Sequence, residues 1–217
     1  VFEIVNPGSY FSQVANARIT IANGVTNAAA PALNLDVDAS QVDLAEGSEI
    51  AFGSASTSAD QNLGLRSAVP LKNLLLDNTS GNNPRVTMEI LSLAADTLTI
   101  GAGTTYDANG LDLTLEGDMT VNGTYQANGN TTYFSGNNNQ QILGNPQFYN
   151  LNRNTGYDLT LNDDITVSNE LRLESGTLTD GGNTLHARGD VWMDVTHNWG
   201  GSGDGILLDG SEQQNLQ

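Results

Sequence analysis

The amino-acid sequence predicts an all-β fold, a parallel β-helix (β-solenoid) whose short strands wind into stacked coils of about twenty residues. Two observations support this prediction: strand-like segments of three or four residues follow one another at short intervals, and longer segments recur along the chain. A helical fold is disfavoured, because Gly or Asn interrupts almost every window in which apolar residues could repeat with helical spacing.

The strand-like segments alternate apolar and polar residues, which is the pattern of a half-buried strand. They are separated by Asn-Asp, Ser-Asn, Glu-Ser-Gly and Asp-Gly-Gly, residues that tolerate tight corners. The spacing from Leu159 to Leu178 predicts the length of one coil. The clearest segments are Leu159–Leu161, Ile165–Val167, Leu171–Leu173, Thr177–Thr179 and Thr184–Ala187.

A larger repeat is indicated by three segments that each combine an apolar strand, a turn with Gly and a Gln-x-Leu triplet. The triplets lie 80 and 73 residues apart, and this spacing divides the chain into residues 1–64 (coils that end a partial repeat), 65–144 (a repeat unit) and 145–217 (a truncated unit). The third copy stops where the first two continue, so we expect the natural polypeptide to extend further. The triplets are Gln61–Leu63, Gln141–Leu143 and Gln214–Leu216.

Shorter similarities lie inside these units. Leu71–Gly81 resembles Phe148–Gly156, since both contain Asn-Leu and then Asn-Thr before a Gly. Leu113–Gly123 and Leu159–Asn169 are identical at six of eleven positions, although they are only 46 residues apart. A shorter repeat therefore lies within the larger repeat.

The stretch Phe134–Asn154 is unusually rich in Asn, Gln and Gly. Within a solenoid it is expected to form a corner-rich linking segment, in which Asn side chains bond to the coils above and below. Phe134, Phe148 and Tyr149 would then pack inside or cap a face. A disordered tract is the alternative interpretation.

The alternative fold is a string of antiparallel β-sandwich modules, because a unit of roughly 75 residues approaches the size of a small module. Sandwich strands are usually about 5–6 residues long. The strand-like segments here are shorter, and we therefore favour the solenoid.

The composition is acidic, with 25 Asp and Glu against seven Lys and Arg and a formal net charge of −18. This charge argues against nucleic acids and anionic membranes as partners, because both are polyanions. The chain has no Cys, which excludes disulfides and thiolate metal sites. No apolar run approaches the ~20 residues that span a bilayer. Val1 in place of an initiating Met fits a mature or excised piece.

The combination of Gly-x-x-x-Gln-Gln-x-Leu, Phe148–Leu151, Leu-Thr-Leu with Ile-Thr-Val, and Ser175–Leu185 resembles repeats of large secreted and cell-surface proteins of Bacteroidota. The resemblance covers roughly residues 50–217. Such proteins are typically cargo of the type IX secretion system and include adhesin-like giants. The resemblance implies an extracellular or cell-surface location. The C-terminal sorting domain of that family is missing from this chain.

A search for catalytic chemistry finds no convincing motif. A pectate-lyase-like site needs a base beside Ca²⁺-binding acids, and the basic residues are scattered. A glycosidase needs two carboxylates at a set separation, which 25 acids cannot specify. The basic residues are Arg18, Arg66, Lys72, Arg85, Arg153, Arg172 and Arg188.

Individual residues point no further. His186 and His197 lack the spacing of a zinc site, so we expect structural or surface roles. Trp192 and Trp199 could stack on sugars, but we favour the interpretation in which Trp192 fills a wide coil and Trp199 packs over a loop. Acidic stretches Leu35–Ser40 and Leu161–Thr166 could bind Ca²⁺, yet a solvated acidic corner is the simpler interpretation.

The sequence therefore predicts a structural or adhesive segment of a long extracellular repeat protein, such as a stalk, fibre or adhesin shaft. No enzymatic activity, catalytic residue, cofactor site or metal site is predicted. Expected partners are neighbouring repeats of the same chain or other copies of it, with surface glycans as a further possibility and no nucleic acid or membrane insertion. A glycan-binding module is the alternative, and a polysaccharide lyase or hydrolase is less favoured.

Overall fold

A computed structural model describes residues 2–3, 11–13, 18–21, 33–37, 42–55, 57, 60–203 and 205–217, with side chains from residue 44 onward. These residues contain 24 strands and no helix. Consequently no helix among them could span a membrane. Every strand pair between them is parallel, so the chain forms the predicted β-solenoid, and the antiparallel sandwich alternative is wrong.

Each coil has three sides, and the strands of successive coils stack into three faces. The first face contains β1 Phe2–Glu3, β4 Leu33–Val37, β7 Gln61–Ser67, β9 Pro84–Met88, β11 Thr105–Asp107, β14 Thr124–Gln126, the starts of β17 Gln147–Arg153 and β19 Ile165–Leu173, β21 Thr184–Ala187 and β24 Gly205–Leu208. The second face contains β2 Phe11–Gln13, β5 Val42–Leu44, the starts of β8 Leu71–Leu76 and β10 Leu93–Ile100, β12 Leu113–Leu115, β15 Thr131–Phe134, the ends of β17 and β19, and β22 Asp190–Met193. The third face contains β3 Arg18–Ile21, β6 Glu49–Phe52, the ends of β8 and β10, β13 Met119–Val121, β16 Gln140–Gly144, β18 Asp158–Leu161, β20 Thr177–Thr179 and β23 Thr196–Asn198.

The length of a coil confirms the prediction in the later part of the chain. Leu159 pairs with Leu178, which is 19 residues further along, as the spacing predicted. The earliest coils are longer, since Phe2 pairs with Leu35 and Leu35 with Leu65. The strands Thr177–Thr179 and Thr184–Ala187 have the predicted bounds, whereas the predicted strands at Ile165 and Leu171 are joined into β19.

The core is a single cluster that runs along the solenoid axis from Ile50 to Val191. Strand residues alternate between this interior and solvent: Leu113 and Leu115 are buried, and Thr114 between them is partly exposed. Aromatic rings add a stacked column in which Tyr106 lies 5.9 Å from Tyr125, and Tyr125 lies 5.7 Å from Phe148. Burial of these side chains supplies most of the stabilisation, at about 25 cal/mol per Å² of apolar surface.

The stretch Phe134–Asn154 is folded into strands β15, β16 and β17. Phe134 and Phe148 are buried, and Tyr149 points outward. The predicted amide contacts between coils occur at Asn150, whose Oδ1 accepts from Asn169 Nδ2 at 2.7 Å, and at Gln141, whose Oε1 accepts from Asn162 Nδ2 at 3.0 Å. The predicted amide contacts and the burial of Phe134 and Phe148 are therefore confirmed, but the stretch forms the sides of regular coils and not a corner-rich link, and Tyr149 is exposed.

Candidate functional site

The most elaborate polar cluster is a corner between the second and third faces, built around the side chain of Gln140. Its Nε2 donates to the carbonyls of Leu115 at 3.0 Å and Gly117 at 2.7 Å, both in the coil below. Its Oε1 accepts the N–H of Gly136 at 3.0 Å, within its own corner. We call this arrangement the glutamine clasp, because one buried amide joins two successive coils.

Arg153 closes this clasp from the coil above. Its guanidinium donates to Gln140 Oε1 at 2.8 Å and to Phe134 O at 3.0 Å, and it also bonds the carbonyls of Tyr157 and Asp158. The residue is 1% exposed, and burial lowers the pKa of Arg153 from its ordinary value. Carbonyl acceptors take the place of water around this cation, so Arg153 is a structural residue.

The same clasp recurs at the corner after β24. Gln214 Nε2 donates to Ala187 O at 2.8 Å and to Gly189 O at 2.6 Å, while its Oε1 accepts the N–H of Gly210 at 3.0 Å. By these contacts, Gln214 corresponds to Gln140. The Gln-x-Leu pattern aligns Gln214 instead with Gln141, the next residue along the chain. The four-residue spacing from Gly136 and from Gly210 to the clasp residue is the signal that could have found it.

The recurring triplets lie at three different corners of the solenoid. Gln61 begins a strand of the first face, Gln141 lies in a strand of the third face, and Leu216 bridges Val191 on the second face. The spacing between copies is therefore not a whole number of coils. The shorter similarity also falls on different sides. Leu113–Gly123 connects the second face to the third, whereas Leu159–Asn169 connects the third face to the first.

Acidic side chains at the corners cap the strands of the coil above. Asp118 Oδ1 accepts the N–H of Gln141 at 2.8 Å, and Asp190 Oδ1 accepts that of Asn215 at 2.8 Å. Part of the large negative charge thus satisfies backbone donors that lie between sheet ladders. Equivalent pairs are Asp60 with Asn83, Asp112 with Thr131, and Asp164 with Thr184.

Two aspartates at the corners, Asp190 and Asp180, have depressed pKa values. The N–H and side-chain amide of Asn215 lower the pKa of Asp190 below its ordinary value. Burial pushes the pKa of Asp180 upward, but the N–H groups of Gly182 and Gly200 and the ring of His197 outweigh it, so the net shift is downward. Hydrogen bonds to the ionised form produce the depression in both cases.

Within the described residues, the structure does not gather the basic side chains into one cluster. Lys72 contacts Glu46 at 2.9 Å and Asp96 at 3.3 Å, and Arg188 lies 3.7 Å from Asp209. Arg85 pairs with Asp107 and Arg172 with Glu174, each on a different coil. The side chain of Arg18 lies outside the described residues, and Arg66 lies on the first face.

The two histidines each contact an aspartate of a neighbouring coil. His186 Nδ1 lies 2.8 Å from Asp209 Oδ2, and His197 Nε2 lies 2.7 Å from Asp180 Oδ2. Within the described residues, no group of three or more His, Asp or Glu is placed to hold a metal ion. In the stretch Leu161–Thr166 the two carboxylates accept backbone N–H groups, while the stretch Leu35–Ser40 has no described side chain.

Both tryptophans lie at the C-terminal end of the described solenoid. Trp192 is 40% exposed and its ring lies 5.0 Å from the guanidinium of Arg172, so the prediction that it fills a coil is wrong. It sits next to buried Val191 in β22, and strand alternation turns it outward. Trp199 is 57% exposed and lines an apolar cleft of ≈ 360 Å³ together with Met193, Leu208 and Leu216.

Comparisons of the chain with known proteins found no relative. The chain matches no family model, no curated protein and no solved structure. The resemblance to Bacteroidota repeats therefore stays a prediction, and the arguments below rest on the geometry of the chain itself.

Proposed function

We propose that this chain is a stiff structural segment of a longer extracellular protein, serving as a stalk, fibre or adhesin shaft. The observation that carries the proposal is the continuous core from Ile50 to Val191, enclosed by parallel ladders. In such a stack each coil covers the apolar edge of its neighbour, and bending requires ladder hydrogen bonds to stretch. The clasps at Gln140 and Gln214 fix the corners where ladders end.

The hydrogen bonds of the polar side chains support a structural role. The polar groups described above are used mainly within the fold, as strand caps and clasps between coils. The extracellular setting and the type IX route rest on the sequence resemblance alone. They belong to the proposal as its biological context.

The proposal is tested in cells that make the protein, by exchanging this region and measuring how far the tip of the protein stands from the cell surface. An unrelated solenoid of equal length is expected to preserve the distance in immunogold electron microscopy. A Gly/Ser linker with the same number of residues is expected to shorten it, because such a linker is a flexible coil. Equal distances with both replacements would overturn the proposal.

The apolar C-terminal end gives the proposal a second test, because we expect other coils, of this chain or of another copy, to cover it. Leu216 is 66% exposed there, beside Trp199 and Leu208. In sedimentation velocity, the 217-residue chain is expected to associate with rising concentration, and Leu216→Asp to reduce this. Tyr157→Asp is the matched control, since Tyr157 is exposed away from this end. A wild-type chain that stays monomeric at high concentration would contradict the expectation.

A further inference from the structure

Among the described strands of the first face, the parallel ladder is interrupted once, between β14 and the start of β17. Strands β11 and β14 pair below the interruption, and β17 pairs with β19 above it, but β14 and β17 are not paired with each other. The result is a groove of ≈ 580 Å³ across the first face, within the usual range of ligand pockets, about 300–1,000 Å³.

The lining of this groove is uncharged, although the chain carries a net charge of −18. It consists of amide and hydroxyl side chains together with backbone and aromatic rings. The polar side chains that line it are Thr124, Gln126, Asn128, Asn145, Gln147 and Ser168. Because acidic residues are common elsewhere in the chain, a wall without any of them favours a ligand that is itself neutral and rich in hydroxyl groups.

Backbone groups also face the groove. Thr124 donates its N–H to Thr104 O, and Gln126 accepts the N–H of Ala108, both in the coil below. Backbone groups alternate in direction along a strand, so the N–H and C=O of Tyr125 are turned upward into the groove. A bound ligand with paired donors and acceptors would satisfy them.

Several of the groove amides are already held in place. Asn128 Nδ2 donates to Asp107 Oδ1 at 2.7 Å, and Gln126 Oε1 accepts from Arg85 Nη2 at 2.9 Å. The remaining donors and acceptors of these amides therefore have fixed directions before a ligand arrives. Such preorganisation lowers the entropic cost of binding.

Tyr149 supplies an exposed aromatic ring at the rim. It lies at an irregularity of the β17–β19 ladder, where the register shifts between Phe148 and Asn150. Bulges of this kind redirect a side chain, and Tyr149 is 40% exposed. A flat ring beside fixed amides suits a pyranose, whose C–H face stacks on the ring while its hydroxyls bond to the amides.

An extended peptide fits this groove less well. A strand inserted between β14 and β17 would hold them two strand spacings apart, roughly 9.5 Å. Cα atoms of the two strands approach within 8 Å of each other. The ligand must therefore lie across the groove from outside, as a sugar chain can.

We propose that the groove between β14 and β17 binds a neutral oligosaccharide, with Tyr149 as its stacking platform and Gln126, Asn128 and Gln147 as hydrogen-bonding partners. The site does not depend on the structural role proposed above, because a shaft can lack ligands and a binding module need not be long. It also differs from a site at Trp199, which lies at the C-terminal end.

The experiment is isothermal titration calorimetry of the 217-residue chain with cellohexaose, laminarihexaose, mannohexaose and, as the acidic counterpart, hexagalacturonate. We expect at least one neutral hexamer to bind with a Kd below about 1 mM and hexagalacturonate not to bind. Tyr149→Ala is expected to weaken binding about tenfold through loss of stacking. Trp192→Ala is the matched control, because Trp192 is equally exposed but lies outside the groove, and it should bind like wild type.

A second variant covers the case in which Tyr149→Ala does not fold. Ser168→Trp adds bulk at the exposed rim and is expected to block binding while leaving the thermal unfolding midpoint unchanged. The proposal is overturned if no neutral hexamer binds, if hexagalacturonate binds as tightly, or if Ser168→Trp folds and binds like wild type. Loss of binding in Trp192→Ala with retention in Tyr149→Ala would move the site to the C-terminal end and also overturn it.

Discussion

The two glutamine clasps have the same contacts below them and different surroundings above. Gln140 is fully buried, and Arg153 of the next coil donates to its Oε1. Gln214 makes the corresponding bonds to the coil below, but its side chain is partly exposed. Among the described residues, its Oε1 accepts the N–H of Gly210. We therefore expect stacking, more than the motif itself, to determine the strength of a clasp, since an amide sealed from water cannot replace a lost partner.

The largest effect is expected when the clasp amides are removed. Gln140→Ala removes the bonds that its amide makes to Leu115 O, Gly117 O, the N–H of Gly136 and the guanidinium of Arg153 in a dry interior. The expected loss of unfolding free energy is about 3–4 kcal/mol. Gln214→Ala should cost about 1 kcal/mol, because water can reach the exposed groups. Urea unfolding of the two variants measures the difference, and equal losses would show that burial does not set the strength of the clasp.

A smaller loss is expected when the glycine of each clasp is given a side chain. A Cβ at Gly136 would lie 1.9 Å from Glu116 O, and one at Gly210 would lie 2.2 Å from Arg188 O. Gly136→Ala should cost about 2–3 kcal/mol because coils hold it from both sides. Gly210→Ala should cost about 1 kcal/mol, since a corner at the end of the described stack can shift outward.

Gly156→Ala is the control for this pair, because a Cβ there meets no atom within 4 Å. Its thermal unfolding midpoint should match that of wild type. If Gly136→Ala and Gly156→Ala unfold at the same temperature, the close approach at Gly136 has no energetic importance.

The smallest effect is expected from acid at the end clasp. The folded pKa of Asp190 lies below its ordinary value of 3.8. The cap on Asn215 is therefore fully present above the ordinary pKa and is lost as pH falls through the folded pKa. The ¹⁵N–¹H signal of Asn215 is expected to titrate with a midpoint below 3.8, and Asp190→Asn to abolish the transition. A midpoint at or above 3.8 would contradict the cap.

The sequence predicted the solenoid because its strands carry their own signals. Thr177–Thr179 and Thr184–Ala187 alternate in polarity and are bounded by Gly and Asp, so their bounds follow from local chemistry. Local chemistry does not predict the face on which each Gln-x-Leu copy lies, because the face depends on the number of coil sides between the copies. Whether Arg153 lies inside could not be predicted either, since its acceptors include Phe134 O and Gln140 Oε1, which it meets only after the coils stack.

The groove was missed for a similar reason. Its walls come from segments about 20 residues apart in the chain, and its existence depends on a ladder that fails to close between β14 and β17. Pro146 before β17 does not signal it, because Pro84 begins β9 and that strand pairs fully with β7. Tyr149 was expected to pack inside or cap a face, and the register shift beside it decides its exposure.

The Gln-x-Leu triplet occurs at three different corners of the solenoid, and this bears on how such a protein can evolve. Because related segments form different sides of a coil, we expect that a duplication or deletion need not preserve whole turns to remain foldable. Removing a single side would rotate everything downstream by roughly a third of a turn about the long axis. Recombination within the gene could thus redirect an exposed feature, such as the rim residue Tyr149, around the circumference while leaving the core intact.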